Sequence, residues 1–292
     1  MSRLASLCAL LSILALPTTS LAFPAPLPPE QGQWAKLVAN LPRETNVGRR
    51  THQVGRALLG QPYLAGSLNT FQPSHQDEPV VARFDGFDCV TLVETALAIA
   101  RAEDLGERSW SAFKRELERV RYRDGHQRGY VSRLHYFSEW LRDNDRRGIV
   151  QDLTASLGGV EDRRPLNFMS THRAAYRNLA SDATFAAIQG VESRLSQQAR
   201  WVIPKAKLSS VMPLLQSGDI VAFATDIDGL DVVHTGLIER GEDGEVRLLH
   251  APQPGEVVQV SRKNLMDYTS GIARQVGLMV ARPLPPARTV QP

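Results

Sequence analysis

The chain has 292 residues, 42% of them hydrophobic, and a formal net charge of +3. This length allows one large domain or two small ones, with enough apolar side chains for a sizeable core. Basic and acidic residues are interspersed rather than clustered, which excludes a typical nucleic-acid-binding surface, so we expect no nucleic-acid partner.

The first 22 residues have the pattern of a secretory signal peptide. Arg3 supplies a positive start, Leu4–Leu16 form a short apolar core, and Ser20, Leu21 and Ala22 form a small-x-small cleavage pattern. The apolar run is shorter than the roughly 20 residues that span a bilayer. We therefore expect cleavage after Ala22, no membrane span in the mature protein, and a periplasmic location, with full secretion as the alternative.

The remaining chain divides into three parts. Residues 23–45 form a proline-rich leader with a first helix, residues 46–283 a single domain, and residues 284–292 a flexible tail. Apolar spacing and capping residues predict helices in the first half of the chain. These are Glu30–Leu41, Asn46–Leu59 with Asn46 as cap, a helix that begins at Cys89 with Asp88 as cap, Ser109–Val120, His135–Arg146, and two helices capped by Ser170 and Ser181.

The second half is rich in alternating and β-branched residues between glycine or acidic turns, which predicts strands. The predicted strands are Gly218–Thr225, Val232–Arg240, Glu245–Pro252, Glu256–Ser261 and Gly277–Pro283. Helices followed by strands predict an α+β domain rather than a doubly wound one.

Cys89 is the one cysteine outside the predicted signal peptide. A single cysteine excludes an intrachain disulfide framework and a C-x-x-C zinc site. With Asp88 as cap, Cys89 lies in the first turn of a helix, where unsatisfied N–H groups and the helix dipole lower a thiol pKa. The same N–H groups are placed to stabilise an oxyanion. The alternative is a buried cysteine that serves as a small apolar side chain.

Two histidines lie in neighbouring predicted strands. His234 shares a strand face with Val232, Gly236 and Ile238, and the short turn that follows predicts a hairpin that brings His250 beside it. A histidine in reach of a thiol can take its proton, and a second polar group can orient that histidine. The pattern indicates a cysteine hydrolase, and a structural role for both histidines is the alternative.

The order Asp88-Cys89, then His234-Thr235-Gly236, then His250 resembles the NlpC-type papain-like cell-wall hydrolases. Within that superfamily the chain is most similar to the N-acetylmuramoyl-L-alanine amidase-like branch, formerly a domain of unknown function. The motifs that carry this resemblance are PYLAGSLN, FDCVTLVET, RYRDG, SRLHYFSEW, NFMSTH, SGDIVAF, HTGLI and LLHAP, between about residues 46 and 283.

The resemblance implies a papain-like fold, in which the nucleophile helix packs on an antiparallel sheet or half-barrel with extra helices. It also implies an amidase that cleaves the bond between N-acetylmuramic acid and L-alanine in peptidoglycan or muropeptides through a thioester. Cys89 would be the nucleophile, His234 the base and His250 the orienting residue. This chemistry requires no metal and no cofactor.

Polar residues within these motifs are candidates for substrate contact. Arg133 is suited to bind a carboxylate of the peptide stem with two hydrogen bonds. The other candidates are Tyr63, Asp88, Ser132, His135, Asn167, Ser170 and His172. A structural role is the alternative for each.

Three other functions stay open from the sequence. The first is an endopeptidase that cuts between D-glutamate and the diamino acid of the stem. The second is a wall-binding module without catalysis, and the third is a zinc hydrolase that uses His234, His250 and a carboxylate such as Asp219. Intact sacculus and released anhydro-muropeptides are both open as substrates, as is the oligomeric state.

Overall fold

The computed structural model describes residues 27–69 and 78–287. The predicted signal peptide and residues 288–292 of the predicted tail lie outside the described residues. The helices are α1 (Pro29–Ala39), α2 (Val47–Ala57), α3 (Cys89–Asp104), α4 (Trp110–Arg121), α5 (Phe137–Arg146), α6 (Phe168–Thr171), α7 (Asp182–Ser196), α8 (Leu208–Val211) and α9 (Leu265–Ser270). The strands are β1 (Val150–Asp152), β2 (Val160–Asp162), β3 (Arg200–Pro204), β4 (Ile220–Thr225), β5 (Val232–Arg240), β6 (Val246–His250), β7 (Gln259–Val260) and β8 (Gln275–Pro283).

The strands of the described residues form one eight-stranded sheet in the order β2-β3-β8-β4-β5-β6-β7, with β1 also paired to β8. Every strand pair in the sheet is antiparallel. The predicted α+β class is therefore confirmed. β5 and β6 form the expected hairpin, in which Leu237 pairs with Leu249.

The centre of the sheet is covered on both faces, and β4 is buried along its whole length. Side chains alternate along a strand. Ala222 and Ala224 accordingly pack in the cluster formed with the helices, while Val221 and Phe223 pack in a second cluster on the opposite face. The two alanines are small, so the helical layer can lie close to the sheet.

α3 is the central helix of that layer and packs against α2, α4 and β5. Its side chains from Thr91 to Ala102 are buried. Glu94 of α3 is held to α4 by a buried ion pair, in which Arg121 Nε donates to Glu94 Oε2 over 2.6 Å. A helix covered in this way presents its first residue in a fixed position.

The structure differs from the sequence prediction in several short elements. β1, β2, β3 and α9 were not predicted. The expected strand Glu256–Ser261 shrinks to β7, and the expected helix capped by Ser170 is absent. Ser170 lies inside α6, and its hydroxyl donates to Asn167 O at 3.1 Å instead of accepting a backbone N–H. Short 3₁₀ turns follow this helix up to Ala180.

None of the helices in the described ranges has both the length and the apolar character that a membrane span requires.

Candidate active site

Cys89 is the first residue of α3, as predicted. Asp88 caps the helix because its Oδ1 accepts the Thr91 N–H at 2.8 Å, and the Thr91 hydroxyl accepts the Asp88 N–H at 3.0 Å. This reciprocal capping box satisfies two N–H groups at the helix start. The backbone N–H groups of Cys89 and Val90 are not used by this box, and they act on the thiol.

A neighbouring segment, residues 62–64, lies against the residues that precede the cap. Phe87 donates its N–H to Pro62 O at 3.0 Å, and Leu64 donates to Phe87 O at 3.0 Å. Gly86 permits this approach, since a Cβ there would lie 2.9 Å from Pro62 O. Tyr63 is thereby placed near the thiol. Burial, followed by the charges of Cys89 and Asp88, raises the pKa of Tyr63.

A β-bulge lies beside His234. Phe223 pairs with His234 and Ala224 pairs with Val232, so Val233 is the extra residue. A bulge redirects the side chains next to it. Val232 consequently packs against the cluster on the helix side of the sheet, whereas Ile238 packs in the cluster on the opposite side. The sequence predicted that these two residues share one face of the strand, and the structure shows that they do not.

The two histidine rings meet across the β5–β6 hairpin. His234 Nε2 lies 2.8 Å from His250 Nδ1, and the ring centroids are 5.0 Å apart. The register β5–β6 brings Gly236 opposite His250. A Cβ at Gly236 would lie 2.7 Å from Leu248 Cδ1, 2.8 Å from Leu249 O and 3.1 Å from His250 Cβ, so glycine allows β6 and His250 to lie this close to β5.

Tyr268 of α9 completes this aromatic group. Its Oη lies 3.4 Å from His250 Nδ1, and its ring packs edge-on against His250 at 5.1 Å. Phe223 contacts the rings of both His234 and Tyr268. His250 is therefore fixed from two sides.

Cys89 and His234 line the same small cavity of about 120 Å³. The structure shows no hydrogen bond between the thiol and the His234 ring. The cavity walls are mainly apolar, and the remaining lining residues are Val90, Leu134, His135, Phe137, Trp140, Leu230, Asp231, Val232, Val233 and Thr235. An apolar lining of this kind strengthens electrostatic interactions within the cavity.

Protonation at this site differs from the sequence expectation. Burial, aided by the Asp88 charge, raises the pKa of the Cys89 thiol to about 12. The backbone N–H groups of Thr235, Val90 and Cys89 oppose this effect without reversing it. Burial and the neighbouring His250 lower the pKa of His234 to about 3. Both shifts favour a neutral thiol and a neutral imidazole at rest, and the direction for Cys89 is opposite to the lowered thiol pKa that the helix start predicted.

His135 is the predicted substrate-contact residue that lines the cavity with the thiol. Its Nε2–H donates to Tyr130 O at 2.9 Å, and its ring packs on Tyr130. Burial, followed by the charge of Arg133, lowers the pKa of His135 to about 3. A neutral ring that donates through Nε2 keeps Nδ1 as a hydrogen-bond acceptor.

Arg133 and Ser132 lie behind the cavity wall. Arg133 is buried and forms an ion pair with Glu78, in which Nη2 lies 2.8 Å from Oε2. Its guanidinium also stacks on Tyr130. Ser132 Oγ donates to Gly129 O at 2.6 Å, which closes a turn. Their proposed role in substrate binding stays a prediction, and in this structure both side chains hold the surrounding loop.

The three remaining candidates lie on or beside α6, away from the lining of the Cys89 cavity. Asn167 is exposed and precedes α6. Ser170 donates its backbone N–H to Glu192 at 3.1 Å. His172 is exposed, and its Nδ1 lies 2.9 Å from Phe168 O while its ring stacks on Phe168. The structure does not bring this group together with the thiol, and their substrate contacts stay predictions.

Sequence reasoning missed Tyr268 and Asp231. Asn264 caps α9 by accepting the Asp267 N–H at 2.9 Å, so a capping signal for the short helix that carries Tyr268 was present. Asp231 is buried in the cavity wall and accepts the Ser138 N–H at 2.7 Å. No local pattern marked Asp231, because only the tertiary fold brings it to α5.

The proposed zinc ligand Asp219 lies away from the histidines. It precedes β4 four residues before Phe223, the partner of His234, which is roughly 13 Å along a strand. Both of its carboxylate oxygens accept hydrogen bonds from Arg282 at 2.8 Å. Within residues 27–69 and 78–287, no three His, Cys, Asp or Glu side chains group as metal ligands.

Comparison with known protein families identifies one that matches most of the chain. Residues 53–274 match a family model described as AmiA-like, N-acetylmuramoyl-L-alanine amidase-like. No curated protein matches the chain.

Solved structures share the fold. An N-acetylmuramoyl-L-alanine amidase from Bacteroides uniformis is 34% identical, with a TM-score of 0.75, over 81% of this chain and 98% of that one. A Bacteroides fragilis protein named as a xylanase candidate is 34% identical, with a TM-score of 0.72, over 78% and 98%. A Legionella pneumophila protein with 21% identity and a TM-score of 0.64, over 88% and 93%, is similar in fold alone.

Proposed function

The chain belongs to the AmiA-like, N-acetylmuramoyl-L-alanine amidase-like family, and we propose that it is an exported cysteine amidase of the papain-like, NlpC-type superfamily. It hydrolyses the bond between N-acetylmuramic acid and L-alanine in muropeptides or peptidoglycan. One observation carries the proposal: Cys89, at the capped start of α3, shares a cavity with His234, whose Nε2 lies 2.8 Å from His250 Nδ1.

The first half of the reaction forms a thioester. With Nε2–H of His234 donated to His250, Nδ1 of His234 is the acceptor for the thiol proton. The sulfur then bonds to the lactyl carbonyl carbon, the C–N bond breaks, and the proton passes from His234 to the departing amine of L-alanine. Backbone N–H groups at the start of α3 stabilise the oxyanion that forms on the carbonyl oxygen.

The second half returns the enzyme to its starting state. Water gives a proton to His234 and bonds to the thioester carbon, and the carbon–sulfur bond breaks. The products are a lactyl carboxylate on the sugar and a restored thiol, which regains its proton from His234. In this scheme the thiol proton passes to His234 as the sulfur attacks, so no stable thiolate is needed beforehand.

The name of the Bacteroides fragilis neighbour raises glycoside hydrolysis as a second activity. Glycosidases place two carboxylates about 5–10 Å apart across the scissile bond. Among the residues that line the Cys89 cavity, Asp231 is the one carboxylate, and its Oδ2 already accepts a backbone N–H. The site geometry supports acyl transfer rather than glycoside hydrolysis.

Digestion of defined muropeptides by the wild type and Cys89→Ala, followed by mass spectrometry, tests the function. Amidase activity gives a sugar without peptide and an intact stem that begins with L-alanine. A sugar that retains L-Ala-D-Glu identifies the endopeptidase instead. Unchanged cleavage by Cys89→Ala rules out the thiol mechanism, and wall binding without any cleavage identifies a binding module.

Export is part of the proposal and has its own test. The motif-bearing region, residues 46–283, is the proposed mature catalytic domain, and residues 1–22 are the proposed signal peptide. Fractionation of expressing cells, with N-terminal sequencing of the product, is expected to give a periplasmic protein that begins at Phe23. Retention of Met1 in the cytoplasm contradicts it.

A further inference from the structure

A second and larger cavity, of about 510 Å³, begins at the His250–Tyr268 side of the active site. His250 and Tyr268 form its inner wall, while Glu256, Arg262 and Lys263 line the part farther out. Tyr268 Oη lies 3.4 Å from His250 Nδ1, which in turn lies 2.8 Å from His234 Nε2, so this inner wall adjoins the proposed catalytic histidines. The second cavity therefore borders the proposed catalytic group on its His250 side.

The charged side chains that line the second cavity differ in whether they have hydrogen-bond partners within the protein. Glu256 has both carboxylate oxygens occupied, one by the Gln253 amide and the other by the Gln259 amide, each at 2.6 Å. Arg262 and Lys263 are exposed, and neither side chain forms a hydrogen bond or ion pair with any residue that the structure describes. The cavity thus offers two cations without a protein partner, which attract an anion.

The backbone that carries these cations is fixed to the histidine strand. Ser261 is buried, its N–H donates to Leu248 O at 2.7 Å, and its Oγ accepts the Leu248 N–H at 3.1 Å. The same hydroxyl donates to Lys263 O at 2.7 Å. Since His250 also belongs to β6, the backbone that carries both cations has a set position relative to the proposed catalytic residues.

The expected carboxylate anchor is already occupied. Arg133 pairs with Glu78 and is buried, so binding a substrate carboxylate there requires the loss of an internal ion pair. Binding a carboxylate at Arg262 and Lys263 does not require the loss of an ion pair. An exposed guanidinium can bind a carboxylate with two hydrogen bonds, and an ammonium adds a point charge.

We propose that this second cavity is the subsite for the peptide stem, and that Arg262 and Lys263 bind a stem carboxylate. The assignment rests on the proposed function. The stem then extends from the thiol past His250 and Tyr268, and the muramoyl part lies on the side of the small apolar cavity.

Calorimetric titration of Cys89→Ala protein with two free peptides tests the subsite. One peptide is L-Ala-γ-D-Glu with a terminal diamino acid, and the other is the same peptide amidated at its carboxylates. Adding Arg262→Gln with Lys263→Gln is expected to weaken binding of the first at least about 10-fold, the effect of one lost charge-assisted hydrogen bond. Binding of the amidated peptide is expected to stay unchanged. Arg194→Gln, an exposed arginine of α7 outside the cavity lining, is the matched control.

Two results overturn the assignment. An equal loss of affinity for both peptides shows a structural effect of the substitutions rather than a loss of carboxylate binding. Unchanged affinity for the carboxylate peptide excludes the two cations as its anchor. Kinetics on a muropeptide supply a second readout, in which Arg262→Gln with Lys263→Gln raises KM and leaves kcat nearly unchanged. Failure of the proposed function is separate, because a wild type that cleaves a different bond still shows the charge-selective peptide binding.

Discussion

His234 Nε2 and His250 Nδ1 lie 2.8 Å apart. In the proposed mechanism His234 donates its Nε2–H across this contact, which leaves His234 Nδ1 to accept a proton. The contact exists because β5 and β6 form a hairpin and because Gly236 has no side chain to displace His250. The orientation of the proposed base thus depends on one neighbouring ring and on one missing methyl group.

We expect His250→Ala to lower kcat by about 100-fold or more, since an orienting partner of a catalytic histidine typically contributes an effect of this size or larger. His250→Asn retains a carbonyl acceptor near His234 Nε2 and should lose less. Initial rates on one muropeptide measure both, with thermal unfolding as the control for folding. Equal rates in the wild type and His250→Ala would falsify the orienting role.

Alkylation of Cys89 should report a protonated resting thiol. Because burial raises its pKa to about 12, the iodoacetamide rate is expected to rise steadily with pH from 6 to 10. Labelling followed by mass spectrometry measures the rate, and Cys89→Ala provides the blank. A rate that is already constant between pH 6 and 8 indicates a thiolate–imidazolium pair and contradicts the neutral resting state.

Two substitutions of Asp88 separate its charge from its capping role. Asn caps helices as well as Asp does, so Asp88→Asn should preserve stability and, without the negative charge, increase the alkylation rate of Cys89 at pH 7. Asp88→Ala removes the cap and should cost about 1 kcal/mol in the free energy of unfolding. Urea unfolding and alkylation are measured on both. A slower reaction of Cys89 in Asp88→Asn is inconsistent with a charge effect.

The buried ion pair between Glu94 and Arg121 holds α3 against α4. Arg121→Leu leaves the Glu94 carboxylate buried without its partner and is expected to lower the free energy of unfolding by about 3–5 kcal/mol. Glu94→Leu combined with Arg121→Leu should recover much of that loss, because no unpaired charge remains. Urea titrations compare the three proteins. A double variant no more stable than Arg121→Leu shows that packing, not charge, sets the cost.

His135 should make stability depend on pH. Its folded-state pKa is lowered to about 3, so between about pH 6.5 and 3 the unfolded chain binds a proton that the folded protein does not. Stability is therefore lost as the pH falls through this range, by up to about 1.4 kcal/mol per pH unit for one group. His135→Gln should reduce the slope by that amount. The carboxylates are the same in both proteins and contribute equally to the two pH dependences of stability. Identical slopes for the wild type and His135→Gln would contradict the prediction.

The sequence predicted the parts of the site that depend on local signals. Asp88 is followed three residues later by Thr91, which marks a helix start, and the alternation in β5 and β6 marks a hairpin. These patterns gave the position of Cys89 and the pairing of the two histidine strands. The Val233 bulge was not visible, because it depends on how β4 and β5 align.

Long-range packing explains what the sequence did not predict. The protonation of Cys89 depends on burial by distant segments, which outweighs the helix-start effect that the local sequence suggested. Arg133 was assigned to the substrate because its partner Glu78 lies 55 positions away in the chain. Arg262 and Lys263 could not be recognised as candidate binding residues from the sequence. Only the fold places them near His250 and leaves their side chains without an ion-pair partner among the residues that the structure describes.

The raised pKa of the Cys89 thiol has a consequence for chemical durability. Peroxides react with thiolates and convert them to sulfenic acid, while neutral thiols react slowly. Because burial and the Asp88 charge favour the protonated form of Cys89, its sulfur is expected to react slowly with oxidants between turnovers. For the proposed exported enzyme, slow oxidation of Cys89 would keep the nucleophile reduced outside the reducing cytosol.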